Sequence, residues 1–208
     1  MEGIKNIIFD LGAVILNIDY QLTIDAFVEL GVTDFGDIFS KAGQSEFMDD
    51  FETGKVSEAE FLDYARPKCR PGVRDLEIIE AWNAMILEFP LDRLELLQQV
   101  ALHYETFMLS NTNETHMRCY NQVLMDTCGI QSMDYFFNKA YLSHQIGHRK
   151  PNPEAFEIIL RENELNAAET LFIDDSPQHI ETAKKLGLRA IHLTMNKTLE
   201  DDVFKPKV

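Results

Sequence analysis

Short apolar runs alternate with amphipathic segments along the chain. The first run, Ile7-Ile8-Phe9, is β-branched and aromatic, and it predicts a strand that is buried on both faces. Further strands are predicted at 106–110, 139–142, 170–173 and 189–193. Because helical segments separate the later strands, the pattern is typical of a parallel, doubly wound α/β sheet between two layers of helices.

A long helical stretch separates the first two predicted strands. The segment Ser57-Glu58-Ala59-Glu60 forms a capping box that predicts the start of one of its helices. Before the second strand, helices are predicted at 20–30, 44–51, 58–66, 76–87 and 91–103. After it, helices are predicted at 112–125, 153–162 and 177–186, with a loop at 144–152.

The length of this helical stretch predicts an insertion. A direct βαβ crossover takes roughly 30 residues, whereas the ends of the first two strands lie about a hundred residues apart. We therefore expect a Rossmann-like three-layer core, residues 1–17 and 96–208, that carries an inserted α-helical cap subdomain, residues 18–95.

Composition and charge narrow the functional classes. The chain has 208 residues, of which 45% are hydrophobic and 26% charged, as in ordinary globular proteins. A net charge of −16 disfavours binding to nucleic acids and anionic membranes. No apolar run approaches the roughly 20 residues of a membrane span. Three cysteines without Cys-x-x-Cys spacing, and no expected signal peptide before the first strand, predict a cytoplasmic protein with free thiols.

Polar residues follow the predicted strands at four places. Asp10 follows the first strand, Ser110-Asn111 ends the second, Lys150 lies in the loop after the third, and Asp174-Asp175 follows the fourth. Taken singly, each has an ordinary structural explanation as a helix cap, a turn or a surface lysine. Since the carboxyl ends of parallel strands meet at one sheet edge, we expect all four to converge there.

The chemistry of these residues is consistent with phosphoryl transfer. Asp10, Asp174 and Asp175 would place three carboxylates in a small volume, which favours a bound Mg²⁺, and the carbonyl of Gly12 can supply a further oxygen. A phosphoryl group fits between this metal and Lys150. The side chains of Ser110 and Asn111 can hold another phosphoryl oxygen. Asp10 is then the carboxylate that attacks phosphorus.

Four short motifs, in this order and spacing, resemble those of the haloacid dehalogenase superfamily. The resemblance covers nearly the whole chain and implies that Asp10 is the nucleophile, that Asp175 is a direct Mg²⁺ ligand with Asp174 as a ligand or water-holder, and that Ser110 and Lys150 bind phosphate. The helical insertion resembles the cap domain of that family. The motifs are Phe9-Asp10-Leu11-Gly12, Leu109-Ser110-Asn111-Thr112, Arg149-Lys150-Pro151-Asn152-Pro153 and Phe172-Ile173-Asp174-Asp175-Ser176.

The chain departs from most phosphatases of this superfamily at Gly12. Those enzymes carry a second Asp there, which serves as general acid and base. Asp19 is a nearby candidate for that role, although a helix cap is the more ordinary role for such a residue. The Phe-Asp-Leu-Gly-Ala-Val segment is similar to that of a subgroup containing a phosphatase for α-D-glucose 1-phosphate, which has Asn at the position of Ala13. This resemblance suggests a sugar phosphate as the substrate.

Three alternatives remain open at this point. A metal-independent 2-haloacid dehalogenase also uses a nucleophilic Asp and lacks the second acid, but it leaves the Asp174-Asp175 pair unexplained. A phosphoryl mutase depends on the acid that is missing at Gly12. A non-catalytic phosphate-binding or regulatory protein can share the fold. We expect a small phosphorylated metabolite as the partner, neither nucleic acid nor membrane, and the oligomeric state stays open.

Overall fold

A computed structural model describes residues 1–38 and 46–194, together with residues 198, 199, 203 and 204. It confirms the α/β class. All pairings in the five-stranded sheet of this part of the chain are parallel, and the strand order is β3-β2-β1-β4-β5. The strands are β1 (Asn6–Phe9), β2 (Glu105–Ser110), β3 (Lys139–Leu142), β4 (Thr170–Asp174) and β5 (Arg189–His192).

Among the described residues, eight helices match predicted ones with some shifted ends, and two four-residue helices, at 35–38 and 143–146, were not predicted. The helices are α1 (Tyr20–Glu29), α2 (Phe35–Ile38), α3 (Glu46–Glu52), α4 (Glu58–Ala65), α5 (Asp75–Asn83), α6 (Leu91–Ala101), α7 (Glu114–Cys128), α8 (Ser143–Ile146), α9 (Pro153–Glu162) and α10 (Pro177–Lys185). The capping box of α4 is confirmed, because Ser57 and Glu60 bond each other's backbone N–H. Residues 44 and 45 of the helix predicted at 44–51 lie outside the described residues. Within the described ranges, no helix has the length and apolar character needed to cross a membrane.

The sheet is covered on both faces, as the predicted three-layer core requires. On one face, side chains of β1, β2 and β4 pack with α6 and α7, including Phe9, Leu97 and Leu124. On the other face, Ile8 and Phe172 and their neighbours pack with α9 and α10. Alternate residues of β1 thus enter different clusters, which is why the strand is apolar throughout.

A separate hydrophobic cluster is formed by helices that lie between β1 and β2 in the sequence, namely α1, α3, α4 and α5. It is centred on the fully buried Trp82, which lies near Phe51 and Phe61. The predicted boundary between residues 95 and 96 lies inside α6, and both Leu94 and Leu97 pack in the sheet cluster. The division into core and cap stays a prediction, and this packing favours a boundary before α6.

The extended segments before α1 and after α5 lie side by side and pair with each other. Leu87 N donates to Asn17 O at 3.0 Å, Asn17 N donates to Glu88 O at 3.0 Å, and Ile18 pairs with Ile86 in an antiparallel bridge. This pairing explains why the helix predicted at 76–87 ends early, at Asn83. The loop predicted at 144–152 begins with the short helix α8.

Candidate active site

The sheet brings the predicted strand-end residues to one edge. Phe9 is in register with Met108 on β2 and Ile173 on β4. Asp10 therefore lies level with the ends of both neighbouring strands, and its backbone N–H donates to Ile173 O at 2.9 Å. Asp174 is the last residue of β4. The convergence follows from the parallel topology, since all strands present the same end at this edge.

Lys150 is buried between two of these acids. Its Nζ lies 2.7 Å from Asp10 Oδ1 and 2.7 Å from Asp174 Oδ2, and the side chain is 1% exposed. Burial acts to lower the pKa of Lys150, but the two carboxylates outweigh it and raise the pKa. The side chain is therefore a fixed ammonium group at the edge of the sheet.

The two carboxylates respond to this environment in opposite directions. Burial, together with the charges of Asp174 and Asp175, raises the pKa of Asp10 to about 7 against the opposing effect of Lys150. Burial also acts to raise the pKa of Asp174, but Lys150 and a hydrogen bond from His179 lower it overall. Asp174 is therefore a permanent anion, whereas Asp10 carries a negative charge that a nearby cation would stabilise.

Three carboxylates at this edge have the geometry of a cation site. Asp10, Asp174 and Asp175 each offer a ligand atom, and these atoms lie within 4.8 Å of one another. Oxygen ligands of this kind suit Mg²⁺. The oxygens of Asp174 also accept from Ser176 N at 2.7 Å and from His179 Nδ1 at 2.9–3.0 Å. Asp175 and Gly12 line the adjoining cavity. The assignment of Asp10, Gly12, Asp174 and Asp175 as metal ligands stays a prediction.

Asn111 holds the backbone of Lys150. The side-chain Nδ2 donates to Lys150 O, and Lys150 N donates to Asn111 Oδ1, both at 2.8 Å. This two-way contact fixes the loop that carries the lysine. Ser110, the last residue of β2, is buried and lines the cavity together with Asn111. Phosphate binding by Ser110, Asn111 and Lys150 stays a prediction, and the structure adds a positioning role for the Asn111 amide.

A cavity of about 100 Å³ adjoins these residues, and part of its lining comes from the helical stretch between β1 and β2. The cavity is also lined by side chains for which the sequence predicts no role: Tyr20, Glu52, His116, Arg149 and His179. Arg149 directly precedes Lys150 in the Arg-Lys-Pro motif, so this motif could have identified it as a residue of the site. His179 lies in the first turn of α10, directly after the Asp-Asp-Ser motif. Glu52 is on a cap helix, and nothing in its local sequence marks it.

Gly12, the position without the expected acid, has little free space around it. A Cβ atom added to Gly12 would lie 2.9 Å from Cδ1 of Ile18, so the residue is packed tightly against the connection to the cap. Asp19 is exposed and caps α1, accepting from Gln21 N at 2.9 Å. The capping role is therefore confirmed for Asp19, which lines a different cavity from that of Asp10.

The comparisons with known proteins agree with this geometry. Residues 120–193 match the family of haloacid dehalogenase-like hydrolases. The chain is 34% identical over 184 residues to a D-ribitol-5-phosphate phosphatase of Bacteroides thetaiotaomicron, covering 88% of this chain and 89% of that protein. A solved enzyme of this family from the same organism, in complex with magnesium and inorganic phosphate, is 30% identical over 97% of this chain and 98% of its own, with a TM-score of 0.84.

A second solved structure extends the likeness to another organism. It is a HAD-like hydrolase of Porphyromonas gingivalis, 27% identical over 97% of this chain and 96% of its own, with a TM-score of 0.86. Identity above 30% to a phosphatase over most of both chains, with the same fold in the solved relatives, goes beyond what a shared fold alone shows. The chain therefore belongs to the haloacid dehalogenase-like hydrolases and is a hydrolase of the phosphatase type.

Proposed function

We propose that the protein is a Mg²⁺-dependent phosphatase that hydrolyses a small phosphate monoester of the sugar or sugar-alcohol type, through an aspartyl-phosphate on Asp10. The observation that carries the proposal is the buried ammonium of Lys150, 2.7 Å from Asp10, beside three carboxylates whose ligand atoms lie within 4.8 Å of one another. An acid cluster of this kind needs a cation, and a cation next to a nucleophilic carboxylate is suited to phosphoryl transfer.

The residues of the chain can perform both halves of the reaction. Asp10 Oδ1 accepts from Leu11 N at 2.7 Å and from Lys150, which orients the carboxylate for attack on phosphorus. The bond from phosphorus to the leaving oxygen breaks, and the alkoxide takes a proton from a water molecule, which leaves hydroxide. A second water then attacks phosphorus and gives a proton to this hydroxide, the bond to Asp10 breaks, and inorganic phosphate leaves with the carboxylate restored.

Charge at the reacting group is stabilised from two directions. Lys150 supplies a fixed positive charge that does not have to reorganise during the reaction. When bound, Mg²⁺ would be held by Asp10, Asp174, Asp175 and the Gly12 carbonyl, and it would neutralise the carboxylates and polarise phosphoryl oxygens. The proposed phosphate contacts of Ser110 and Asn111 complete the pocket.

The substrate class is supported by the relative named for D-ribitol 5-phosphate, which is similar to this chain over most of its length. The suggested similarity to the glucose-1-phosphate subgroup stays a prediction. The metal-independent dehalogenase is less well supported, because it gives no role to the acid cluster of Asp10, Asp174 and Asp175.

The test is phosphate release from a panel of sugar phosphates, sugar-alcohol phosphates, nucleotides and an aryl phosphate, with Mg²⁺ and after chelation. Asp10→Asn should lower turnover by more than roughly a thousandfold, since a covalent nucleophile is lost. The matched control is Asp19→Asn, which changes an acid in the same loop but keeps a good helix cap.

The dehalogenase and the binding protein predict different outcomes. Halide release from a 2-haloacid by the chelated protein, without phosphate release from any ester, would favour the dehalogenase. Tight phosphate binding by folded protein without release from any ester would favour the binding protein. Turnover retained in Asp10→Asn would remove Asp10 as the nucleophile.

A further inference from the structure

A carboxylate and a guanidinium from opposite sides of the cavity meet at its cap side. We infer that Glu52 and Arg149 are the specificity determinant of the enzyme, and that they select monophosphates of uncharged, polyhydroxylated alcohols over substrates with a second anionic group. The inference rests on the proposed phosphatase function and deepens it.

The pair joins cap and core at the cavity. Glu52 is the last residue of α3 and Arg149 lies in the core loop next to Lys150. Arg149 Nε lies 2.9 Å from Glu52 Oε2, with side-chain exposures of 19% and 10%. This contact is an ion pair between two partly buried charged groups. Arg149 also contacts Asp49, which is more exposed.

The backbone fixes Glu52 in this position. Two residues after Glu52, Gly54 has a φ of +74° and packs so closely on the core that an added Cβ would lie 2.2 Å from His144 O. Six residues after Glu52, a second contact joins this helical stretch to the core, because Thr115 Oγ1 donates to Glu58 Oε2 at 2.6 Å. Glu52 therefore lies in a segment that packs directly on the core, as a residue that binds the leaving group must.

Charge compensation decides which leaving groups fit. Among the described residues lining the cavity, Arg149 and Lys150 are the only Lys or Arg side chains. Lys150 faces Asp10 and Asp174, and Arg149 faces Glu52 and Asp49. A carboxylate or second phosphate on the substrate would therefore approach the Glu52 charge without a cation of its own, which is unfavourable in a partly buried site.

The same groups suit a chain of hydroxyls. Glu52 accepts and Arg149 donates, so vicinal hydroxyls can bond to both without a change in net charge. Tyr20 lines the same cavity, and burial together with the nearby charges of Asp10 and Asp175 raises the pKa of its phenol. The phenol therefore stays protonated and is a further donor.

The experiment compares three substrates, each measured as kcat/KM. They are ribitol 5-phosphate, phosphoglycolate and phenyl phosphate, which represent a polyol, an anionic and a featureless leaving group. Glu52→Gln should lower the value for ribitol 5-phosphate by roughly 10- to 100-fold, because a charged hydrogen bond to substrate is lost. It should raise the value for phosphoglycolate about tenfold or more, since Arg149 then lacks its Glu52 partner charge. Phenyl phosphate should stay within about threefold of the parent value.

Glu58→Gln is the matched control, because it changes a cap acid that also bonds the core but does not line the cavity. It should leave the ratio between the substrates unchanged. Glu52→Asp keeps the charge and should continue to exclude phosphoglycolate. This variant is the test if Glu52→Gln does not fold. If Glu52→Gln lowers kcat/KM equally for all three substrates, Glu52 only holds the structure together, and the inference is overturned. If the parent protein releases phosphate from none of them, the proposed function itself fails.

Discussion

Restoring a carboxyl group at Gly12 tests the reaction scheme most directly, because this position lacks the acid that most phosphatases of the superfamily have. A Cβ there would lie 2.9 Å from Cδ1 of Ile18 and 3.8 and 3.9 Å from its other side-chain carbons, so one terminal methyl is in the way. Overpacking of this kind costs about 1–3 kcal/mol. Ile18→Val removes that methyl at a cost of about 0.5–1.5 kcal/mol. The pair Gly12→Asp with Ile18→Val should therefore unfold at a denaturant concentration no lower than that of Gly12→Asp alone.

The rate should respond to the leaving group. A positioned general acid contributes about 10²–10⁴-fold, and it matters most where the leaving alkoxide is basic. In the double variant, kcat/KM for ribitol 5-phosphate should rise at least tenfold, as a lower bound of that range. The value for 4-nitrophenyl phosphate should change much less, because its leaving group departs without protonation.

The assay is steady-state phosphate release with saturating Mg²⁺, together with urea unfolding of each variant. Gly12→Asn with Ile18→Val is the matched control, since it has the same shape and no acid. If the folded aspartate variant gains nothing over the asparagine variant on either ester, then another group already performs the proton transfer, and the reading of Gly12 as a missing acid is wrong.

Three further predictions concern the packing around the site. Lys150→Met leaves two buried carboxylates uncompensated and should lower the free energy of unfolding by about 3–5 kcal/mol. The control Lys184→Met, at an exposed lysine, should change it by less than about 0.5 kcal/mol. A loss under about 1 kcal/mol in Lys150→Met would contradict the buried ion pairs of Lys150. Burial lowers the pKa of His116 to about 4, so its contribution to stability is present above pH 6.5 and is lost as the pH falls from 6.5 to 4, by about 3 kcal/mol. His116→Gln should flatten that part of the unfolding profile, and an unchanged slope would refute the assignment. Gly54→Ala should lower the free energy of unfolding in urea by more than about 2 kcal/mol, because a positive φ and a clash with the backbone combine there. Gly72→Ala, where φ is positive but the space is open, should lower it by about 1 kcal/mol. Equal losses would show that the clash at Gly54 is relieved.

The core residues of the site were predictable from the sequence because topology alone brings them together. Asp10, Ser110 and Asp174 each end or follow a buried apolar run, and parallel strands present these ends at one edge. Short apolar runs identified the strands, and period-3.6 patterns identified most helices. The end of α5 was missed because residues 86–88, which follow the helix, pair with the segment around Asn17, about seventy residues away in sequence.

The cap side of the site was not predictable in this way. Glu52 looks like any other acid on an amphipathic helix, and its contact with Arg149 depends on how the cap sits on the core. His179 bonds Asp174 from the first turn of α10, but a histidine at such a position is more often a surface residue. The amide of Asn111 was expected to face phosphate, and only the folded loop shows that it also holds Lys150. These interactions are tertiary, so no local pattern encodes them.

The charges at the sheet edge connect the cation, the lysine and the order of events. Asp10, Asp174 and Asp175 against Lys150 leave a formal charge of −2, which would repel a phosphate dianion. A bound divalent cation would bring this sum to zero and would also act against the burial that raises the pKa of Asp10, because the carboxylate would gain a second positive neighbour. In the proposed reaction the cation therefore has two effects on the chain's own residues: it makes the edge acceptable to phosphate, and it keeps the nucleophile ionised. Lys150 alone cannot do both, since its single charge is already shared between Asp10 and Asp174.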